Sequence, residues 1–81
     1  DDISLYLKRG FLNLELENNQ EAIRVFTQAI KVENENGTAW YGLGTSKYEE
    51  GNIRGACNDW KRGLELGETR AIEKISQFCQ D

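Results

Sequence analysis

Apolar residues in this chain recur at helical spacing and fall into five segments separated by short polar breaks. In the second segment, Ala22, Phe26 and Ala29 step by four and three positions, which places them on one stripe of a helix. The first segment is too long for a single strand, and over most of its length it does not alternate. We therefore predict an all-α chain of five short antiparallel helices, over residues 3–16, 19–33, 38–50, 53–66 and 69–79.

The polar breaks carry signals for helix ends. Asn18, followed three residues later by Glu21, predicts an N-cap with a capping box at the start of the second helix. Residues 34–37 have the composition of a turn, with Thr38 as the expected N-cap of the third helix. Gly67 is placed to adopt the left-handed conformation that ends the fourth helix.

One pattern occurs twice in the chain, at an offset of 34 residues. Small residues and large aromatic residues recur at the same positions of both copies. A period of this length is typical of stacked helix-turn-helix units, each of which cannot cover its own apolar face. The matched pairs are Gly10 and Gly44, Glu15 and Glu49, Asn18 and Asn52, Ala22 and Ala56, Tyr6 and Trp40, Phe26 and Trp60, and Ala29 and Gly63.

The second copy resembles the tetratricopeptide repeat, in which an aromatic residue and a Leu-Gly pair in one helix precede Ala, an aromatic and a small residue in the next. The matching residues are Trp40, Leu43, Gly44, Ala56, Trp60 and Gly63, and in the first copy Tyr6, Gly10, Ala22, Phe26 and Ala29. Departures from the pattern are Arg9, Asn13, Lys47, Asn34 and Glu68. The resemblance implies one TPR-like domain over 1–81, with repeat 1 at 3–36, repeat 2 at 37–70 and a C-terminal capping helix at 71–81.

The same resemblance implies a concave groove, lined by the first helix of each unit, that binds a protein or peptide with apolar anchors. The alternative interpretation is structural. In that case Leu7, Phe11 and Leu14 pack under a preceding unit or a second copy, as in self-assembly or in a scaffold segment of a longer repeat protein. Leu7, Phe11 and Gly42 stand where related domains carry the polar clamp for a C-terminal carboxylate, so we expect no such clamp. The groove positions that carry over are Ser4, Leu7, Phe11, Leu14, Glu15, Thr38, Tyr41, Thr45, Tyr48 and Glu49.

Composition narrows the classes of function. Ten basic and 14 acidic residues give a formal charge of -4, and no basic cluster is present, so nucleic acid and anionic membrane surfaces are poor partners. No apolar run approaches the roughly 20 residues of a membrane span. The chain contains no His, and no Ser or Cys has a visible activating partner. We expect a non-catalytic domain without a cofactor or metal.

The two cysteines leave three interpretations open. An antiparallel turn near Gly67 and Glu68 would place Cys57 and Cys79 at the same depth of neighbouring helices. They could be reduced thiols packed as small apolar groups, a structural disulfide, or a redox switch. Since the chain starts at Asp1 rather than Met, we expect a fragment or a processed chain. Its sequence assigns no compartment, although a disulfide would indicate an oxidising one.

Overall fold

Five α-helices make up the computed structural model, which describes residues 2–80 and contains no strand in that range. Consecutive helices are joined by short turns and pack as adjacent pairs, which confirms the predicted fold class. Asp1 and Asp81, both inside the predicted domain span, lie outside the described residues. The helices are α1 (Ile3–Glu15), α2 (Asn19–Val32), α3 (Gly37–Glu49), α4 (Ile53–Glu65) and α5 (Arg70–Phe78).

The predicted capping box at the start of α2 is wrong. Asn18 is the N-cap residue, but its side chain accepts no hydrogen bond from the helix. Glu21 turns instead toward Arg24, whose Nε lies 3.1 Å from a Glu21 carboxylate oxygen. The ion pair between Glu21 and Arg24 thus uses the carboxylate that, in a capping box, would accept a hydrogen bond from the backbone N–H of Asn18.

The N-cap of α3 is Asn36 and not Thr38, so this helix begins one residue earlier than predicted. The Asn36 side chain accepts a hydrogen bond of 3.0 Å from the backbone N–H of Ala39. At the other end of unit two, Gly67 has a φ of +98° after the C-cap of α4, which confirms the predicted left-handed terminus.

The two repeat units meet around Phe26 of α2, which is fully buried. Its ring lies against Gly10 of α1 and Gly42 of α3. A Cβ atom at Gly10 would stand 2.6 Å from the ring, and a Cβ at Gly42 would stand 2.3 Å from it. Both distances are shorter than any van der Waals contact, so the ring fits only because neither helix carries a side chain there. Phe11 completes the enclosure with an edge-on contact at a centroid distance of 4.9 Å.

Trp60 of α4 holds the equivalent place in unit two and is also fully buried. A Cβ at Gly44 would lie 2.7 Å from the indole, so α3 and α4 approach closely at this glycine. The Trp60 Nε1–H donates to the hydroxyl of Thr45 at 3.2 Å, which satisfies its one polar group. Phe78 of α5 and Tyr48 of α3 lie beside the indole, with centroids 6.1 and 5.8 Å away.

Asp59 of α4 is a buried carboxylate, and Lys47 of α3 approaches it to 3.0 Å as an ion pair. At the equivalent position of unit one, Val25 is buried instead. Desolvation raises the pKa of the Asp59 carboxyl above its usual value of 3.8, and the ion pair with Lys47 opposes that rise. Lys47 is one of the departures from the tetratricopeptide pattern noted above, and in this structure it forms a charge pair with Asp59 in the α3–α4 contact.

We predict that Gly42→Ala destabilises the fold by about 1 to 3 kcal/mol, because the new methyl group meets the ring of Phe26. This figure is the net change, which already includes the gain of roughly 1 kcal/mol that a Gly to Ala change ordinarily gives inside a helix. Urea unfolding followed by circular dichroism measures it. Glu49→Ala, in an exposed part of the same helix, is the control and should change stability by less than about 0.5 kcal/mol. Increased stability in Gly42→Ala would contradict the fit described here.

We also predict that carboxyl NMR titration finds the pKa of Asp59 above 3.8, and that Lys47→Met raises it further, because only the opposing charge is lost. Since the folded pKa lies above the unfolded one, protonation favours the folded state. The contribution is fully present below the unfolded pKa of about 3.9 and is lost as pH rises through the folded pKa. A lowered pKa in Lys47→Met would show that burial is not the dominant cause.

Candidate partner-binding surface

The predicted groove residues of α1 fall into two groups. Leu7 and Leu14 are partly buried, and they pack on the core cluster that contains Phe26 and Leu43. They therefore join α1 to the rest of the stack. Glu15 is exposed near the end of the helix.

A shallow apolar depression runs along α1 on the side that remains open to solvent. Its volume is about 510 Å³, and most of its accessible lining is apolar. Lys8 and Glu15 stand at its polar edge. The lining residues are Leu7, Lys8, Phe11, Leu12 and Glu15, three of which are groove residues predicted from the sequence.

The predicted aromatic residues of α3 are covered by α5. Tyr48 lies against Phe78, with ring centroids 4.4 Å apart. Tyr41 is half-buried, and the guanidinium carbon of Arg70 stands 4.8 Å from its ring centroid. The Phe78 and Arg70 side chains of α5 thus each contact one of the two tyrosines that the sequence assigned to the groove in unit two.

Thr45 and Glu49 take different positions within α3. The Thr45 hydroxyl donates to the carbonyl of Tyr41 at 3.1 Å and accepts from Trp60, so it is committed to internal hydrogen bonds. Glu49 is exposed at the end of the helix. Arg70 contacts the rings of both Phe11 and Tyr41, and so connects these two predicted residues across the units.

Arg70 is the residue that sequence reasoning missed. Its guanidinium carbon lies 5.9 Å from the ring centroid of Phe11 and closer to Tyr41, so one cation faces two aromatic rings. Glu68 fixes it with two hydrogen bonds, to Nε at 2.6 Å and to Nη2 at 3.1 Å. Glu68 also accepts a hydrogen bond of 2.9 Å from the Thr38 hydroxyl. This network ties the start of α5 to the start of α3.

The charges of this network reinforce each other. Hydrogen bonding from Arg70 holds the pKa of the Glu68 carboxyl below its usual value, with a smaller contribution from Thr38. The same contact raises the pKa of Arg70. Both groups are therefore charged at neutral pH. The only sequence signal was Glu68 itself, standing where tetratricopeptide repeats have an exit proline.

Cys57 and Cys79 form a disulfide in this structure, with a Cα–Cα distance of 5.6 Å. Cys57 lies on α4, and Cys79 is the C-cap of α5. The bond therefore fastens the far end of α5, while Arg70 and Glu68 fasten its start. Helix α5 has only nine residues and no side-chain N-cap, so its order depends on these attachments and on packing.

Neither protein-family models nor curated proteins gave a match to this chain. The tetratricopeptide resemblance therefore stays a prediction. Within residues 2–80, no cluster of three or more His, Cys, Asp or Glu side chains is arranged to hold a metal ion. No helix in the same range is long and apolar enough to cross a membrane.

We predict that a reducing agent lowers the free energy of unfolding by about 3 kcal/mol, because the disulfide closes a short loop in the unfolded chain. The loop spans a sequence separation of 22. Urea unfolding with and without a phosphine reductant measures the change. The Cys57→Ser, Cys79→Ser double variant is the control, and its stability should not respond to the reductant. Equal stability of the oxidised and reduced parent chain would show that closing this loop does not raise the free energy of the unfolded chain.

Proposed function

We propose that this domain is a non-catalytic protein-interaction module of the tetratricopeptide kind, which binds an apolar segment of a partner protein along α1. The observation that carries the proposal is the open apolar depression lined by Leu7, Phe11 and Leu12. Exposed apolar surface of this kind is ordinarily covered in a soluble protein, or it serves as a contact site.

The aromatic ring of Phe11, which lines the depression, is held in place by its neighbours. Phe11 packs edge-on against the buried Phe26, and Arg70 lies beside its other side. Because the ring is ordered before a partner arrives, only the partner loses conformational freedom on docking. A segment with one or two apolar side chains fits this arrangement, as an extended peptide or as one face of a helix.

The edge of the depression sets a preference for polar groups in the partner. Lys8 and Glu15 stand on the same edge, two helical turns apart. A bound segment therefore meets a cation toward the start of α1 and a carboxylate toward its end. Such exposed charges affect orientation and association rate more than affinity.

Photocrosslinking tests the proposal. A benzophenone amino acid replaces Glu15 at the edge of the depression or, as the matched control, the exposed Lys31 of α2, which borders a different and polar cavity. In extract of the source cells we expect adducts with another protein at position 15 and not at 31. Phe11→Ala in the same chain, with helicity checked by circular dichroism, should remove them.

Three results would contradict the proposal. Equal adducts at positions 15 and 31 would show nonspecific contact, and an absence of adducts at 15 would leave the depression without a protein ligand. Adducts only of twice the chain mass would show that a second copy, and no other protein, lies there.

A further inference from the structure

Three leucines form an exposed stripe on the outer side of α1. Leu5 and Leu16 are each 61% exposed, and Leu12 is 54% exposed. Their spacings of seven and four residues place all three on one side of the helix. This stripe is distinct from the Phe11 side, although Leu12 borders both.

The internal repeat shows what this side of a first helix does. An offset of 34 residues places Leu5 and Leu12 at Ala39 and Ser46 of unit two, and both of those residues are fully buried. They lie on the same side of α3 as Gly42, which contacts Phe26 of α2. In unit two this side is therefore packed against another helix, while in unit one it is open.

A helix like α2 does not fit on the open side. The repeat places Lys8 of α1 where unit two has Gly42, and a Cβ at Gly42 would already stand 2.3 Å from the Phe26 ring. An aromatic ring inserted as Phe26 is inserted would meet the stem of Lys8. The stripe is suited instead to side chains that lie flat along it, such as a second row of leucines.

The charges beside the stripe favour a second copy in one orientation. Lys8 and Glu15 lie on the same edge of the stripe, at similar distances before and after Leu12. Two copies of α1 that cross antiparallel about Leu12 place Lys8 of one copy within about 1.5 Å, along the axis, of Glu15 of the other. A parallel pair would instead place Lys8 near Arg9, which is a repulsive arrangement.

We propose that this chain pairs with a second copy of itself through the leucine stripe of α1, antiparallel and two-fold about Leu12. Leu5 of one copy then lies about one turn or less from Leu16 of the other, and each Lys8 faces a Glu15. The stripe is small compared with the about 800 Å² per partner of a stable interface. The dimer is therefore weak and concentration-dependent.

Sedimentation velocity of the oxidised full chain tests this between about 10 μM and 1 mM, a range suited to weak association. The mass should rise from the 9.3 kDa monomer toward twice that value. Leu12→Glu should keep the chain monomeric. The matched control is Ile72→Glu on α5, at a side chain that is 52% exposed, and it should associate as the parent does. A parent chain that is monomeric throughout, or a Leu12→Glu chain that associates normally, would overturn the proposal.

Charge reversal tests the orientation. Lys8→Glu or Glu15→Lys alone places like charges opposite each other twice per dimer, so each should weaken association by about tenfold at low salt. The double variant restores both pairs and should recover the affinity of the parent. If it associates as poorly as the single variants, the antiparallel arrangement is wrong. A monomeric chain that still gives Phe11-dependent adducts with another protein would retain the proposed function and remove this inference alone.

Discussion

The fold depends on one aromatic ring held between two glycines. Phe26 belongs to unit one, but Gly42, one of its two walls, belongs to unit two. The ring therefore contributes to the packing within its own helix pair and to the contact between the pairs. Neither unit encloses Phe26 alone, so the core cluster around it, which also contains Leu43 of α3, spans both units. The distance of α1 and α3 from α2 is set by how closely Gly10 and Gly42 approach that ring.

In the second unit, the central aromatic ring is covered by a terminal helix and not by a neighbouring unit. Trp60 has Gly44 on one side, and α5 covers the other side in place of a further repeat. Arg70 and Glu68 hold one end of that helix, and the disulfide at Cys79 holds the other. The result is an asymmetric stack. Its first unit keeps three leucines, Leu5, Leu12 and Leu16, open to solvent, whereas the indole at the centre of its last unit is fully buried.

Residue spacing was sufficient to predict the helices, the repeat and the packing glycines Gly10 and Gly44, but not Gly42, which also contacts Phe26. These features depend on periodicity and size, which one sequence displays directly. Gly10 and Phe26 were identified because each has a counterpart 34 residues later. The left-handed Gly67 was predictable for a similar reason, since its conformation excludes most other residues.

The surface was less predictable. Tyr41 and Tyr48 occupy groove positions by spacing, but their exposure depends on where α5 lies, and no periodic pattern encodes that position. Arg70 reaches Phe11 only because α5 starts beside α3, at a sequence distance that no local motif reports. On a smaller scale, the capping box at Asn18 and the N-cap at Thr38 were wrong, because several Asn, Thr and Glu side chains near each turn can satisfy the same backbone groups.

The disulfide also determines what an unfolded chain retains. It joins Cys57 to Cys79, so the segment it closes contains most of α4, the Gly67 turn and all of α5. An oxidised chain that loses its helices keeps the two ends of this hairpin together, and the entropy of closing that loop has already been lost. The conformational search that remains concerns the chain before Cys57, including the approach of Phe26 to its two glycines. When the oxidised protein refolds, the segment that forms α1, α2 and α3 must therefore pack against a C-terminal segment whose ends the disulfide already joins.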